Sequence, residues 1–390
     1  MKILHVFDFF SPHGGGTVEL LYKLTRAQAQ RGHEVTIYTS DFKLDRDYIA
    51  SLPEVKIYPF HCVSSVGLFY VTPSLVEAAR EHLKDFDVIH LHCVRSYQNI
   101  VIHSWAKKYG VPYVLDQHGS LPRTHDKRGF KWLLRWLFDV TFGYRILKDA
   151  SRVIGETEVG VTEFKSFGIK QDQVVLISPP FPVEGFAQLP PFGHFRDKYN
   201  LRDKKIVMFL GRINWIKGID FLINGFYQLT KLRSDAILVI VGNDDGFKST
   251  LENQIKQLHL SDKVLFTGFL GGQDKLSALV DADVVIQTSR YEQGAWAPFE
   301  AVLCDTPIIV SSNSGAGEDV KKIDAGYLVE YGNENELRDM IQYIFNNTAE
   351  AKTKTKKAKE YIKANLSMAK GVEKYEALYQ EVMKMKRGKK

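Results

Sequence analysis

Runs of β-branched and aromatic residues alternate with amphipathic stretches along both halves of the chain. The runs have the length and composition of buried strands, and the stretches between them, such as 17–31 and 219–232, have the periodicity of helices. Such alternation indicates βαβ units with mostly parallel sheets, here twice over. The predicted strands are 2–7, 34–39, 88–91, 113–116, 152–155 and 174–177 in the first half, and 205–210, 236–241, 263–267, 283–288 and 307–311 in the second.

A proline-rich segment, 178–193, separates the two halves and holds five of the 13 prolines, as is typical of a domain boundary. We therefore predict an α/β fold of two Rossmann-like, doubly wound domains that face each other across a cleft, where ligands bind at the carboxyl ends of the strands. The predicted parts are residues 1–182, a linker 183–199, residues 200–370, and a closing helix 371–390 that packs back on the first domain.

Composition narrows the class of protein. The chain has 390 residues, 44% of them apolar, which is enough for more than one large core. Cys62, Cys93 and Cys304 show neither a metal-type spacing nor an even disulfide set, which favours a reducing compartment. Neither a signal peptide nor a run of roughly 18 uncharged apolar residues is seen, so a cytoplasmic protein is expected. The net charge of +6 comes with no nucleic-acid-binding motif.

Three glycines, Gly14, Gly15 and Gly16, come directly after the first predicted strand and before a helix. Such a loop lets the backbone approach a phosphate at a helix N-terminus. A dinucleotide-binding loop is the alternative. Gly14 and Gly16 fit its G-x-G pattern and Asp41 could bind a ribose, but Glu19 occupies the third glycine position.

Two cations and two carboxylates follow strands of the second half. Arg212 and Lys217 come after strand 205–210. The forked guanidinium of arginine and the compact ammonium charge of lysine both suit a diphosphate. Glu292 and Glu300 flank a loop that leads into a helix predicted to begin at Pro298. A helix N-terminus suits a phosphate and explains an acid in its first turn, but it does not explain Glu292.

The glycine triplet, the G-R-x4-K-G pattern at 211–218 and the E-x7-E pair together resemble the retaining glycosyltransferases of family 4, which have the GT-B fold. The resemblance extends over nearly the whole chain. It implies a UDP- or GDP-sugar held mostly by the second domain, and a glycan, glycolipid or lipid-linked acceptor on the first. It also implies transfer with retention of configuration, without an obligate metal or cofactor.

The resemblance also assigns roles to residues. Glu300 would bind the ribose, Glu292 would lie under the sugar ring as a catalytic residue, and His118 would be a second catalytic residue near the reaction centre. The expected diphosphate contacts are Gly15, Gly16, Arg212, Lys217, Gly294, Ala295 and Trp296. The family usually has E-G-F-G-L between its glutamates, so Trp296 departs from the pattern and would narrow or re-aim the sugar pocket.

His90 and His92 are close enough in sequence to suggest a metal pair. We expect them to face opposite sides of a buried strand, so no metal site is predicted.

The segment 127–148 is rich in aromatic and basic residues, a composition that suits an interfacial helix on anionic lipid or a surface helix packed on the first domain. Its candidate membrane contacts are Lys127, Arg128, Lys131, Trp132, Arg135 and Trp136. The protein is therefore expected in the cytoplasm, with a possible peripheral position at the inner face of the cell membrane. Alternatives to a glycosyltransferase are a sugar-nucleotide epimerase of GT-B type, an NAD-dependent dehydrogenase and a non-enzymatic membrane-surface scaffold.

Overall fold

The structure, a computed structural model, describes residues 1–66, 69–122, 130–294 and 296–387. They form two compact units. The first combines Met1–Phe181 with Met368–Lys390, and the second is Pro182–Ser367. Both units are built on parallel sheets flanked by helices, as the alternating pattern predicted.

Within the described residues, nine strands belong to the first unit, and seven of them form one sheet. They are β1 (Lys2–Phe9), β2 (Glu34–Ser40), β3 (Lys56–Phe60), β4 (Ser64–Val66), β5 (Phe69–Val71), β6 (Val88–His92), β7 (Tyr113–Asp116), β8 (Arg152–Gly155) and β9 (Val174–Leu176). The sheet order is β3-β2-β1-β6-β7-β8-β9, and β4 pairs with β5 in a separate antiparallel ribbon. The order changes direction between β1 and β6, which makes their carboxyl ends a natural ligand position.

Six parallel strands form the sheet of the second unit. They are β10 (Lys205–Leu210), β11 (Ala236–Val241), β12 (Val264–Gly268), β13 (Val284–Gln287), β14 (Ile308–Ser311) and β15 (Tyr327–Val329). Their order is β12-β11-β10-β13-β14-β15, so the corresponding change of direction lies between β10 and β13.

Helices connect the strands in both units. They are α1 (Gly16–Gln30), α2 (Arg46–Ala50), α3 (Ser74–His82), α4 (Tyr97–Tyr109), α5 (Phe130–Phe138), α6 (Tyr144–Asp149), α7 (Glu158–Ser166), α8 (His194–Lys198), α9 (Ile219–Thr230), α10 (Lys248–Gln257), α11 (Gly272–Asp281), α12 (Trp296–Leu303), α13 (Gly315–Lys322), α14 (Glu334–Asn346), α15 (Thr348–Asn365) and α16 (Met368–Arg387). A π-helical turn, Asp139–Gly143, joins α5 to α6, and short 3₁₀ turns are Pro12–Gly14, Leu83–Asp85, Gln171–Gln173, Val183–Phe186 and Trp215–Lys217.

The strands that the sequence did not predict are short or lie at an edge. β3 is the first strand of its sheet and contains Pro59, which an edge position tolerates. β4, β5 and β15 have three residues each, too few for a periodic pattern. Helix α12 begins at Trp296 and not at Pro298. Pro298 is still in the first turn, where the missing N–H leaves no helical hydrogen bond unmade.

Residues 183–199, for which a linker was predicted, are grouped with the second unit. Arg196 in α8 shows why, because its guanidinium is buried against α11 and the start of β13. It donates to Asp281 O at 2.7 Å and forms an ion pair with Asp283 at 2.7 Å. The boundary between the units falls at Phe181, inside the proline-rich segment.

The last helix, α16, packs on the sheet of the first unit. Its apolar face meets the side chains of β1, β6, β7 and β8 in one core cluster. The buried residues involved are Val372, Tyr375, Leu378, Tyr379 and Val382 from α16, with Ile3, Val88, Val114 and Ile154 from the strands.

Gly371 is where α16 comes closest to the preceding chain. A Cβ at this position would lie 2.3 Å from Pro180 Cβ. We expect Gly371→Ala to lower the free energy of unfolding by about 1–2 kcal/mol, because so close a contact brings an overpacking cost of about 2–3 kcal/mol, and alanine gains only about 1 kcal/mol in a helix. Urea unfolding of the full chain measures this.

Gly185→Ala is the matched control, because a Cβ there would meet no atom within 4 Å. Equal unfolding free energies for Gly371→Ala and wild type would show that α16 does not approach Pro180 this closely.

Candidate active site

Glu292 and Lys217 lie together at the carboxyl ends of two neighbouring strands. Lys217 follows β10 and Glu292 follows β13, and these strands pair in parallel. The Lys217 ammonium forms an ion pair with Glu292 Oε2. Gln287 Nε2 at 2.6 Å and Ser289 Oγ at 3.2 Å donate to the same oxygen. Because three donors share it, the carboxylate is held in one orientation.

The turn after Lys217 needs a glycine. Gly218 has a φ of 62°, and a Cβ there would lie 2.0 Å from Thr288 O. The Thr288 hydroxyl donates to Gly218 O at 2.9 Å. This close approach joins the loop after β10 to the end of β13, and so brings Lys217 within reach of Glu292.

Arg290 supports the same turn, and sequence reasoning missed it. Its backbone N–H donates to Ile216 O at 2.8 Å, and its guanidinium forms an ion pair with Asp220 that includes a hydrogen bond of 2.9 Å. The guanidinium carbon lies 4.5 Å from the ring centre of Trp215. The sequence showed only an arginine beside the glutamate, with no signal for the residues that it contacts.

Arg212, predicted with Lys217 as a diphosphate clamp, contacts a different carboxylate. Its guanidinium donates to Asp245 Oδ2 at 2.8 Å, and Asn214 Nδ2 donates to the same oxygen at 3.0 Å. The side chain is 66% exposed. A surface ion pair of this kind is weak, so Arg212 can exchange Asp245 for another anion.

Glu300 is in the first turns of α12 and meets α11. Lys275 Nζ lies 2.8 Å from Glu300 Oε1, and both side chains are partly buried. Lys275 is a second residue that the sequence did not reveal, since its partner is 25 positions away on another helix. The ion pair fixes the carboxylate predicted to bind a ribose.

The loop between the two glutamates packs against the start of α13. The Gly315 N–H donates to Glu292 O at 2.8 Å, and a Cβ on Gly315 would lie 2.4 Å from Gln293 O. Gly294 is half-buried, and Trp296 is the first residue of α12. Ala295 lies outside the described residues. The missed glycine, Gly315, therefore sets how closely the loop approaches α13.

The glycines of the first unit play different structural parts. A Cβ on Gly14 would lie 2.3 Å from Val18 Cγ2, so packing requires that glycine. Gly15 has a φ of 76° and precedes α1, and Gly16 is the first residue of α1. A Cβ on Gly15 or on Gly16 would meet no atom within 4 Å, so this helix end is accessible.

Asp41, the ribose candidate of the dinucleotide alternative, already has partners. Its carboxylate lies 2.9 Å from His61 Nδ1 and accepts a 2.8 Å hydrogen bond from the Cys62 N–H.

His118, at the end of β7, has both ring nitrogens engaged. Nδ1 lies 2.8 Å from Glu156 Oε1, and Nε2 lies 2.8 Å from His92 Nδ1. Asp116 Oδ1 is 3.5 Å away. Burial lowers the pKa of His118, but the charges of Asp116 and Glu156 and the hydrogen bond to Glu156 outweigh it and raise the pKa to about 9. His118 is therefore a cation at neutral pH.

The expectation that His90 and His92 face opposite sides of their strand is wrong. Side chains alternate along a strand, so residues two apart share a face. The two rings are stacked with centroids 4.1 Å apart. His5 on β1 joins them, with Nδ1 at 2.9 Å from His92 Nε2.

One ring nitrogen from each of His5, His90 and His92 lies within 4.8 Å of the other two. Asp116, His118 and Glu156 form a second group with the same spacing of ligand atoms. The planes of the His90 and His92 rings lie at 23° to each other, and the 2.9 Å between His5 Nδ1 and His92 Nε2 is a hydrogen-bond length. The arrangement therefore suits proton sharing.

The candidate membrane residues are only partly described. Lys127, Arg128 and the Lys131 side chain lie outside the described residues, Trp132 and Arg135 are half-buried, and Trp136 is 40% exposed. Apolar residues are more exposed on α5, with Phe130 at 74%, Leu133 at 50% and Leu137 at 49%. Among the helices within the described ranges, none has the length and hydropathy to cross a bilayer.

Family models match nearly all of the chain. The model described as Glycosyltransferase Family 4 matches residues 14–184, and the model described as Glycosyl transferases group 1 matches residues 192–364. Together they extend over both units.

Several curated relatives are named as glycosyltransferases. A putative glycosyltransferase of Bacillus subtilis, YtcC, is 28% identical over 197 residues, a match that spans 48% of this chain and 48% of that relative, about half its length. The N-acetyl-alpha-D-glucosaminyl L-malate synthase of Bacillus anthracis is 23% identical over 410 residues, with 96% of each chain covered.

Solved structures share the fold. Anabaena HepE in complex with UDP has a TM-score of 0.81 at 19% identity, with 98% of this chain and 100% of that chain covered. The complex of the same protein with UDP-glucose has a TM-score of 0.79 at 20% identity, with 97% and 100% covered.

Burial of His5 gives a pH prediction. Burial lowers the pKa of its ring to about 4, against the raising effect of its hydrogen bond to Gln28. Between pH 6.5 and 4 the unfolded chain holds a proton on His5 that the native chain lacks, so falling pH destabilises the native state. We expect His5→Gln to reduce the slope of unfolding free energy against pH in this range by about 1.4 kcal/mol per pH unit.

Urea unfolding at several pH values measures both slopes. Val382→Ala, which leaves a cavity in the core and changes no titratable group, should shift the curve and keep the wild-type slope. A wild-type slope in His5→Gln would mean that the ring is protonated in the native chain.

Proposed function

The chain belongs to the family-4-type glycosyltransferases with the GT-B fold, and from this premise we propose that it transfers a sugar from a nucleoside-diphosphate sugar to an acceptor hydroxyl with retention of configuration. The observation that carries the proposal is the Lys217–Glu292 ion pair, with Glu292 also held by Gln287 and Ser289. This arrangement places Lys217, a cation that can bind an anion, beside Glu292, a carboxylate that keeps its orientation when Lys217 leaves.

When the diphosphate binds, Lys217 leaves Glu292 and Arg212 leaves Asp245, and both cations form ion pairs with the diphosphate. Both pairs are accessible enough to exchange, and a diphosphate carries more charge than one carboxylate. The backbone around Gly294 and the N-terminus of α12 at Trp296 supply N–H groups for the same anion. We propose that these groups neutralise the leaving group in place of a metal ion.

Carboxylates bind the hydroxyl-bearing parts of the donor. Glu300, oriented by Lys275, accepts hydrogen bonds from the ribose. Glu292 lies under the transferred sugar, where its charge stabilises the positive charge that develops on the ring. Trp296 takes the position of a smaller residue in the family and narrows the sugar pocket.

Transfer proceeds on one face of the sugar. The bond from the anomeric carbon to the diphosphate oxygen breaks while the acceptor oxygen bonds to that carbon from the same side. The departing diphosphate oxygen takes the proton of the acceptor hydroxyl, so no covalent sugar–enzyme intermediate forms. From the first unit we place Gly15 and Gly16 as further contacts of the diphosphate and His118 near the reaction centre; all three follow strands of that unit.

We propose a UDP-sugar as the first donor to test, because the structurally similar HepE is known in complex with UDP and with UDP-glucose. A glycan, glycolipid or lipid-linked oligosaccharide is the proposed acceptor, and the inner face of the cell membrane is the proposed location. The dehydrogenase alternative is disfavoured because Asp41 is bound by His61 and by the Cys62 N–H.

Donor binding tests the site. In calorimetry across UDP-, GDP- and ADP-sugars with NAD as a control, we expect one sugar nucleotide to bind and to be slowly hydrolysed. Glu300→Gln should weaken its binding about 10- to 100-fold, since a hydrogen bond to a charged group contributes about 1.5–3 kcal/mol.

Glu252→Gln, which changes an exposed carboxylate on α10, is the matched control and should bind as wild type does. Equal affinity in Glu300→Gln would remove this residue from the donor site. A response to NAD alone would overturn the proposed function.

The exposed face of α5 is proposed to lie on anionic lipid. Phe130, Leu133 and Leu137 present apolar side chains, and Arg135 and Arg145 supply positive charge nearby in the chain. We expect Leu133→Ser with Leu137→Ser to reduce co-sedimentation with phosphatidylglycerol vesicles about tenfold or more, because each leucine buried in lipid contributes about 1.5–3 kcal/mol.

Leu232→Ser is the control, because it removes a leucine that is 61% exposed at the end of α9. If the double variant sediments with vesicles as wild type does, α5 does not carry the membrane contact.

A further inference from the structure

A continuous line of hydrogen bonds, which we call the histidine relay, lies under the carboxyl edge of the first sheet. His5 Nε2 is 2.8 Å from Gln28 Oε1, and His5 Nδ1 is 2.9 Å from His92 Nε2. His92 Nδ1 is 2.8 Å from His118 Nε2, and His118 Nδ1 is 2.8 Å from Glu156 Oε1. All five side chains are within the first unit and are nearly or fully buried. The line therefore runs from α1, through β1 and β6, to the ends of β7 and β8.

With the amide oxygen of Gln28 facing His5, the chemistry of the two ends sets the direction in which the line donates. An amide oxygen only accepts, so His5 carries its proton on Nε2 and accepts at Nδ1. His92 then donates from Nε2 to His5 and accepts at Nδ1. His118 must therefore donate from Nε2 to His92. At the other end the Glu156 carboxylate also accepts, so His118 carries a second proton on Nδ1.

The surroundings favour this direction over its reverse. In the reverse arrangement every ring would be neutral, with its proton on Nδ1, and Gln28 would present its amide nitrogen to His5. Gln28 Nε2 is instead 3.4 Å from Tyr379 Oη, to which it donates. Asp116 Oδ1, 3.5 Å from His118, adds a second carboxylate next to the charged ring. The titratable groups around the line are His90, Cys93, Asp116, Tyr375 and Tyr379.

We propose that His5 and His92 are positioning residues, which hold His118 as a doubly protonated imidazolium with a fixed ring plane. The effect on transfer rests on the proposed function, whereas the protonation pattern does not. Both N–H groups of His118 are used, so the ring cannot take a proton from the acceptor. It supplies a constant positive charge at the end of β7 and keeps Glu156 oriented.

Nuclear magnetic resonance on the full chain with ¹⁵N-labelled histidine tests the pattern directly. Long-range ¹H–¹⁵N correlations distinguish protonated from unprotonated ring nitrogens, and single His→Gln variants assign the rings. At pH 7.5 without substrate, we expect two protonated nitrogens on His118 and one each on His5 and His92, at Nε2. Single protons at Nδ1 on all three rings would overturn the proposal.

Two substitutions at His92 separate positioning from a general structural role. His92→Phe keeps an aromatic ring but accepts no hydrogen bond, so His118 should lose its Nε2 proton signal. His92→Gln offers an amide oxygen to His118 and an amide N–H to His5, so it should keep both signals. Loss of the second proton in both variants, or in neither, would contradict the relay.

Measuring the sugar-transfer rate distinguishes failure of this inference from failure of the proposed function. We expect His92→Phe to lower the transfer rate about tenfold or more, in the range that one oriented polar group contributes, while donor affinity stays within about twofold of wild type. The expected protonation pattern in a protein that transfers no sugar would refute the proposed function and leave the relay standing.

Discussion

Burial of polar rings within the sheet of the first unit is the constraint on which much of this structure depends. A buried donor or acceptor without a partner costs about 1–3 kcal/mol, so each nitrogen must be matched. Helix α1 contributes Gln28 for His5, and α16 contributes Tyr379, whose hydroxyl lies 2.7 Å from His90 Nδ1. The return of the C-terminal helix to the first unit therefore completes a polar network as well as an apolar core. His90 Nε2 is an exception, because no hydrogen-bond partner for it lies among the described residues.

In the second unit, the charged side chains of the candidate site are held in ion pairs. Its site cations each have a nearby carboxylate, in the pairs Lys217–Glu292, Lys275–Glu300 and Arg212–Asp245. The Arg212–Asp245 pair is largely exposed, so breaking it costs little, whereas the two pairs with glutamate are partly buried. An incoming diphosphate, which carries more charge than a carboxylate, can replace the carboxylate as partner of the cation. Glu292 keeps its orientation in such an exchange because neutral donors from β13 and the residues after it also hold it.

The sequence predicted those features that depend on local pattern. The βαβ alternation, most strand bounds and the return of the final helix follow from periodicity. Lys217 and Glu292 were each seen to follow a strand of the second half, and the family resemblance assigned both to one donor site. Contacts between distant elements were not predictable, since no periodicity marks Lys275 as the partner of Glu300 or Arg290 as the support of Trp215. The error at His90 and His92 was one of strand geometry, and correcting it makes the histidine relay visible.

The two units thus combine a fixed charge with exchangeable ones. A leaving group gains negative charge only while the bond breaks, so in the proposed reaction the cations that meet it must leave their resting partners. Arg212 is largely exposed, and the carboxylate that Lys217 would leave is also held by neutral donors. A charge that keeps a carboxylate oriented in every state must be unable to leave. His118 meets that requirement, because it is buried and both of its N–H groups are bound. On this reasoning both the burial of His118 and the exposure of Arg212 suit the proposed reaction.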